Sequence, residues 1–186
     1  MKVGFFLAVC LGIVVIQRVV ELFIAAKNRR VILDRGGIEF GREHYIYIVS
    51  LHIFWLIAWP VEVFIFGGEV STLWPLWTFL LIVAQILRYC AIFTLGEFWN
   101  TRIIVLPGSS PIKKGIYRYI RHPNYWAVAI ELAAFPLLFK AYLTASICSI
   151  VNAYLLIFVR IPNEERALRE AEVGFPARRE PWENGR

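Results

Sequence analysis

The sequence predicts an all-α integral membrane protein with five transmembrane helices, a tight helical hairpin formed by the last two, and a cytosolic C-terminal helix. The chain of 186 residues is 59% hydrophobic and only 18% charged, and its mean hydropathy is positive at +0.59. Its apolar residues form blocks close to the roughly 20 residues that cross a bilayer as a helix, without the alternation of strands. No long linker or internal repeat divides the chain, so residues 1–186 are predicted to form one domain.

Polar or glycine-containing links separate the apolar segments. The first segment ends at a cationic link that begins with Lys27, and the second ends at residues 67–72. The long link 96–124 follows the third segment. Only Lys140 and Ala141 separate the last two, so these must form a tight antiparallel hairpin. The predicted spans are residues 3–26, 45–66, 73–95, 125–139 and 142–161.

Basic residues are unevenly distributed among the links. The link after the first span contains Lys27, Arg29, Arg30, Arg35 and Arg42, whereas residues 67–72 contain no Lys or Arg. Because cytoplasmic loops carry such an excess, the N-terminus is predicted outside the cell (inner) membrane, and the long link and the tail are predicted in the cytosol. The segment NEERALREAE, residues 163–172, is a strong helix former and too polar to span, so it is the expected cytosolic helix.

The net charge of +6 would suggest a nucleic-acid partner in a soluble protein. Here the cations lie in the predicted cytoplasmic loops, where they can contact anionic lipid headgroups. Membrane lipid is therefore the expected partner, and nucleic acid is not. Cys10, Cys90 and Cys148 lie in three different spans without CxxC spacing. They are interpreted as packing residues, and neither a disulfide framework nor a metal site is predicted. The sequence does not indicate an oligomeric state.

The stretch YRYIRHPNYW, residues 117–126, places cations and rings immediately before the fourth span. Pro123 suits the first position of a helix, because its missing N–H would have no partner there. His122 then lies near the cap, with free N–H groups and Arg121 beside it, an arrangement that attracts anions. The structural alternative is an interfacial belt of arginine and aromatic side chains.

The segment RIPNEERAL, residues 160–168, is the second polar cluster. Arg160 and Glu164 are four residues apart and can pair across one helical turn, and Pro162 between them should kink the helix. The predicted hairpin returns this segment to the membrane face of His122. An ordinary solvated ion pair, worth about 0.5 kcal/mol or less, is the alternative.

Polar residues of the first half form a third group of candidates. Arg18 and Glu21 share one face of the first span, where charges mark a site or an internal pair, or where Arg18 snorkels to the surface. Glu39 and His44 precede the second span. All four are candidate substrate-binding residues, whereas a hydrogen-bonded packing role is expected for His52 inside that span.

The segment KKGIYRYIRHPNY, followed about forty residues later by RIPNEERAL, resembles the isoprenylcysteine carboxyl methyltransferase family. The resemblance covers roughly the last ninety residues. The first half resembles a small bacterial branch that often accompanies type III polyketide synthases. The matching positions are Gly115, Tyr117, Arg121, His122, Pro123, Tyr125, Arg160, Glu164, Glu165 and Leu168.

The resemblance implies S-adenosylmethionine as methyl donor and a lipophilic acceptor with an acidic oxygen, such as a prenylated cysteine carboxylate, an alkylpyrone or an alkylresorcinol. Arg160 would hold the anionic oxygen of the acceptor, and Glu164 would orient Arg160 or act as a base. The expected cofactor-binding residues are Tyr117, Arg121, His122, Pro123, Tyr125 and Glu165.

Two departures from the family pattern and three alternatives remain at this point. Ala127 stands where the family often has glycine, and the tail VGFPARREPW, residues 173–182, replaces the usual Phe-Gly and tyrosines. A phospholipid N-methyltransferase uses a related motif pair, although an amine acceptor has little use for Arg160. A sterol or fatty-acyl reductase of related fold would instead need a nicotinamide cofactor, and a membrane protein without enzymatic activity would carry these clusters by chance.

Overall fold

The computed structural model describes residues 2–173 of the chain. Helices occupy all five segments that the hydropathy predicts, so the mostly helical, multi-pass membrane architecture is confirmed. The helices are α1 (Lys2–Asp34), α2 (Tyr45–Ile65), α3 (Trp74–Leu95), α4 (Pro123–Leu138) and α5 (Tyr142–Tyr154), followed by α6 (Ile161–Val173).

Four helical segments of residues 2–173 are long and apolar enough to cross a membrane: Val3–Asp34, Tyr45–Ile65, Trp74–Phe98 and Tyr142–Val173. α4 has 16 residues and is about 24 Å long at 1.5 Å per residue, less than the roughly 30 Å of a hydrocarbon core. The count of five spans therefore stays a prediction, and α4 is the segment on which it depends.

A short two-stranded antiparallel sheet, which the sequence did not predict, accompanies the helices. β1 (Ile38–Phe40) pairs with β2 (Ile103–Val105), with Glu39 opposite Ile104. Each strand has three residues, too few for a readable alternation, and the partners are far apart in sequence. The sheet is stabilised by packing of Ile103 and Val105 against α6, a contact that hydropathy alone does not reveal.

The sheet joins the link after α1 to the link after α3 at one end of the bundle. At the opposite end, Ser71 N–H donates to Leu138 O (2.8 Å), and Lys140 pairs with Glu69 (2.7 Å). The chain reverses between α4 and α5 through residues 139–141, where Lys140 adopts a φ of 58°. This is the predicted tight hairpin, and it brings the end of α5 back toward the end of the bundle that holds the sheet.

A π-helical segment, Leu155–Arg160, joins α5 to α6. Pro162, the second residue of α6, follows it after Ile161 and has no N–H to donate to the preceding turn. Asn163 Nδ2 donates to Val159 O (2.7 Å), so a side chain satisfies one carbonyl of this irregular turn. The predicted irregularity around Pro162 is therefore a widened turn, and such turns are frequent at functional sites.

Candidate active site

The two motifs meet at the end of the bundle that carries the sheet. His122 is the N-cap residue of α4, with φ −130° and ψ 63°, and Pro123 occupies the first turn. Arg160 is the last residue of the π-helical segment, and Glu164 lies in the first turn of α6. His122 Nδ1 is 3.5 Å from Glu164 Oε1, so the hairpin places side chains from both motifs in direct contact.

Tyr125 lies between Arg160 and Glu164. Its hydroxyl accepts a hydrogen bond from Arg160 Nε (3.0 Å) and donates one to Glu164 Oε2. Arg160 Nη2 donates to Thr101 O (2.7 Å). Arg160 is only 5% exposed, and among residues 2–173 no carboxylate lies within 4.0 Å of it. Its positive charge is therefore buried and only indirectly compensated, which favours an anionic ligand.

His122 stacks on the ring of Tyr125, with centroids 5.3 Å apart and planes inclined by 16°. The Glu164 carboxylate raises the pKa of His122 above its usual value, burial opposes the shift, and Glu165, 3.7 Å from Nε2, adds to it. The imidazolium form is thus favoured in the folded protein.

A cavity of about 440 Å³ opens between these residues and the sheet, within the range of small-molecule sites. Its apolar wall contains Trp99, Ile103, Val105 and Leu168, among others. Three buried polar atoms of lining residues have no hydrogen-bond partner within the described chain: Arg160 Nη1, Asn124 Oδ1 and His122 Nε2. Because unpaired buried polar atoms are costly, their occurrence on three residues that line one cavity favours a ligand with complementary groups.

Gly115 has a backbone reason for its place in the motif. Its φ is 55°, and a Cβ there would lie 2.6 Å from Thr94 Oγ1. Glycine therefore lets the short helix Gly115–Arg118 begin against the end of α3. This places Tyr117 in the cavity wall, where burial, followed by the negative charge of Glu164, raises the pKa of its hydroxyl and keeps it protonated.

Most of the residues expected from the motif pair line the cavity, whereas Gly115 and Pro123 do not, and neither does Ala127, the departure from the family pattern. Ala127 is fully buried in the bundle, so its methyl group does not narrow the cavity. The tail from Gly174 onward lies outside the described residues. The lining residues from the motif pair are Tyr117, Arg121, His122, Tyr125, Arg160, Glu164, Glu165 and Leu168.

The candidates from the first half separate into two places. Glu39, on β1, binds Arg102, a lining residue. His44 is the buried N-cap residue of α2, and burial, together with the charge of Arg160, lowers its pKa. Arg18 and Glu21 do not line the cavity. Their partners are Arg88 and Glu131, within the bundle.

These four charges form what we call the intramembrane network. Arg18 binds Glu21 (2.6 Å) and Glu131, and Arg88 binds the same two carboxylates. Gln17 and Gln85 complete it, with Gln85 Nε2 donating to Glu131 Oε1 (2.7 Å). The structure thus assigns Arg18 and Glu21 to an internal ion network. Arg88 and Glu131 escaped the sequence reasoning, although each is a lone charge inside an apolar helix, a recognisable signal.

Two residues of the cavity wall, Arg102 and Asn124, also escaped the sequence reasoning, as did Thr101, whose carbonyl accepts a hydrogen bond from Arg160. All three residues lie in the long link 96–124, where no hydropathy periodicity predicts which side chains face the cavity. Asn124 lies within the first motif, so its proximity to His122 was the available signal. Among residues 2–173, no group of three or more His, Cys, Asp or Glu side chains is arranged to hold a metal ion.

Comparison with known proteins agrees with the residue pattern. The profile of the isoprenylcysteine carboxyl methyltransferase (ICMT) family matches residues 77–170, which include both motifs. The chain is 40% identical over 163 residues to the uncharacterized protein YpbQ of Bacillus subtilis, covering 88% of this chain and 96% of the relative.

A second relative is an uncharacterized protein of Haemophilus influenzae, 26% identical over 165 residues, which are 88% of this chain and 95% of the relative. No solved structure matches the chain. The match to the family profile includes the cavity residues of both motifs and confirms the resemblance. The chain belongs to the isoprenylcysteine carboxyl methyltransferase family.

Proposed function

We propose that this membrane methyltransferase transfers a methyl group from S-adenosylmethionine to an anionic oxygen of a long-chain acceptor at the cytosolic face of the cell membrane. The observation that carries the proposal is Arg160, which is buried, lacks a partner for Nη1, and lies at a cavity with an apolar wall. A guanidinium in this setting suits an acidic oxygen attached to a hydrocarbon chain.

The residues around the cavity fit the proposed methyl donor. Asn124 Oδ1 is an unpaired acceptor that suits an ammonium group. In the first turn of α4, the N–H of Asn124 is available to a carboxylate, whereas those of Tyr125 and Trp126 donate to His122 O. His122, Tyr125 and Tyr117 would hold the donor, with Glu165 and Arg121 at the more exposed rim. When bound, S-adenosylmethionine supplies an electrophilic methyl group on a sulfonium.

The chain's own contribution is alignment and exclusion of water. Arg160 would hold the anionic oxygen of the acceptor through Nη1, since Nε and Nη2 are occupied. Glu164 would orient Arg160 through the Tyr125 hydroxyl, because no direct contact joins the two charged groups. The apolar wall at Ile103 and Val105 keeps water from the reacting oxygen.

The acceptor classes consistent with this site are a prenylated cysteine carboxylate and an alkylpyrone or alkylresorcinol. Membranes from cells that lack the protein, supplied with methyl-labelled S-adenosylmethionine and purified protein, should yield a labelled apolar product. Arg160→Ala should abolish labelling while binding of the donor persists, and Tyr154→Phe, on the exposed face of α5, should label normally. Label in phosphatidylethanolamine-derived lipids would contradict an acidic acceptor.

A further inference from the structure

A second cation, Arg102, faces the cavity beside Arg160. Its side chain is 29% exposed and belongs to the cavity wall. Nη1 donates to Glu39 Oε1, and the guanidinium lies 4.1 Å from the centroid of the Tyr45 ring. Within the described chain, Nε and Nη2 of Arg102 have no hydrogen-bond partner. Arg102 therefore retains donors for a ligand.

Glu39 forms an ion pair with Arg102, but its single negative charge does not neutralise both of the arginines that it contacts. The same carboxylate binds Arg29 (3.1 Å), so one negative charge serves two cations. Burial would raise the pKa of Glu39, but the hydrogen bonds from Arg102 and Arg29 outweigh it and lower the pKa, so the carboxylate stays ionised. One positive charge of this trio is left over, and of the two cations Arg102 is the one that lines the cavity.

Arg102 and Arg160 are fixed to the same short segment. Thr101 O accepts the hydrogen bond from Arg160 Nη2 (2.7 Å), and Arg102 is the next residue. Thr101 Oγ1 is 3.3 Å from the hydroxyl of Tyr45, whose ring lies beneath Arg102. The same backbone segment therefore positions both guanidinium groups. Such fixed positions suit a site in which two neighbouring cations bind one anion.

The lining carboxylates are poorly placed to remove a proton from an acceptor at Arg160. Glu164 accepts from Tyr125 and faces His122, and Glu165 faces Arg121, His122 and Arg169. Glu172 is exposed at the rim. An acceptor that is already ionised at neutral pH needs no such base.

We propose that Arg102, positioned by Glu39, is the second cation of the acceptor site, and that the acceptor is an acid whose anion is shared by two oxygens. This inference rests on the proposed function. A carboxylate and an enolised hydroxypyrone share this chemistry, whereas a resorcinol carries neutral phenols at physiological pH. One acceptor oxygen forms the O–CH₃ bond as the C–S bond of the donor breaks, the bonding pair stays on sulfur, and no proton leaves.

The test uses the full-length protein in nanodiscs with S-adenosylmethionine and three probes: a long-chain hydroxypyrone, an S-farnesylcysteine derivative and a long-chain alkylresorcinol. Loss of one charge-assisted hydrogen bond should raise the acceptor KM of Arg102→Gln about 10-fold to 100-fold. The affinity for S-adenosylmethionine, measured by calorimetry, should not change. Arg102→Lys should recover part of the loss. Arg35→Gln is the matched control, because Arg35 pairs with Glu97 on the exposed surface and neither residue lines the cavity.

Glu39→Gln tests the positioning role through a double-mutant cycle. It should raise the acceptor KM less than Arg102→Gln does, and the double variant should be no worse than Arg102→Gln alone. Additive losses would indicate a merely structural role for Glu39.

Three outcomes overturn the inference: preference for the alkylresorcinol, equal behaviour of Arg102→Gln and Arg35→Gln, or no turnover of any probe by wild-type protein that binds the donor. Failure of the wild-type protein to bind S-adenosylmethionine would instead overturn the proposed function itself.

Discussion

The Tyr125 hydroxyl accepts a hydrogen bond from Arg160 and donates one to Glu164, while the ring stacks on His122. One side chain therefore contacts three of the charged or titratable groups on which the proposed chemistry depends. A phenol suits this role because its oxygen can donate and accept at once. The sequence predicted that these residues lie together, because the two motifs flank a tight helical hairpin. It did not reveal that the Tyr125 hydroxyl lies between Arg160 and Glu164.

Tyr125→Phe should test this intermediary role. The variant keeps the ring stacking on His122 and leaves Arg160 Nε and Glu164 without their shared partner, at a cost of about 1–3 kcal/mol. We expect kcat/KM for methyl transfer to fall about 10-fold to 100-fold, with a smaller change in donor affinity. Tyr154→Phe, which changes a tyrosine whose ring packs on Phe158, should leave both parameters unchanged. Equal activity of the two variants would remove Tyr125 from the mechanism.

His122 should give the folded protein a distinct pH dependence. Because Glu164 raises its pKa in the folded state, the stabilisation is fully present below the unfolded pKa of about 6.5 and is lost as pH rises through the folded pKa. Thermal unfolding between about pH 6 and pH 9 should show a decline in the wild type that is weaker in His122→Asn. His44, with a lowered pKa, contributes the opposite slope but is common to both proteins. A steeper decline in the variant would contradict this assignment.

Among the elements, α1 is attached to the bundle through polar groups as well as through apolar side chains such as Val14. Many of its apolar side chains are exposed, whereas Arg18 and Glu21 join the intramembrane network, and Asn28 Nδ2 donates to Gly96 O and Trp99 O. Lipid provides little hydrophobic drive for one helix to pack on another, so such bonds carry specificity. Trp99 also lines the cavity, and α1 thereby supports one wall of the site.

Glu131→Gln should destabilise the protein far more than any surface substitution. Glu131 and Arg88 are both nearly fully buried, and loss of one partner leaves an uncompensated charge, at a cost of about 3–5 kcal/mol. The expected result is a large drop in the thermal midpoint of the purified protein. Replacement of both residues together, as Arg88→Met with Glu131→Leu, should be milder than Glu131→Gln alone. Glu97→Gln, which breaks an exposed pair, should cost about 1 kcal/mol or less. Equal costs for Glu131→Gln and Glu97→Gln would show that the network is solvated.

At the scale of the whole molecule, hydropathy predicted the helices because four of the five apolar segments have about the length that a membrane requires, α4 being shorter. The motif pair predicted one cluster because the short turn after α4 makes α5 run antiparallel to α4, which returns the second motif to the first. The sheet of β1 and β2 was not predictable, since its three-residue strands form only by pairing across the chain. Arg102 was missed for the same reason, because only that pairing carries it to Glu39 and the cavity.

The predicted orientation of the bundle can be tested with single cysteines in a variant that lacks the three native ones. Lys114 lies in the link on the side of the site, and Glu69 lies at the opposite end, beside Lys140. A membrane-impermeant maleimide added to intact cells should label Glu69→Cys and should label Lys114→Cys only after permeabilisation. The reverse pattern would place the cavity outside the cytosol, where S-adenosylmethionine is not made.

Binding of S-adenosylmethionine to the purified protein, measured by calorimetry, tests the central claim most directly. The wild type and the surface control Arg35→Ala should bind with micromolar affinity. His122→Ala and Glu165→Ala, which alter the cavity lining, should lose most of that binding while remaining folded by circular dichroism. Absence of binding by folded wild-type protein, with and without a hydroxypyrone present, or equal binding by all four proteins, would contradict the assignment of this cavity to the methyl donor.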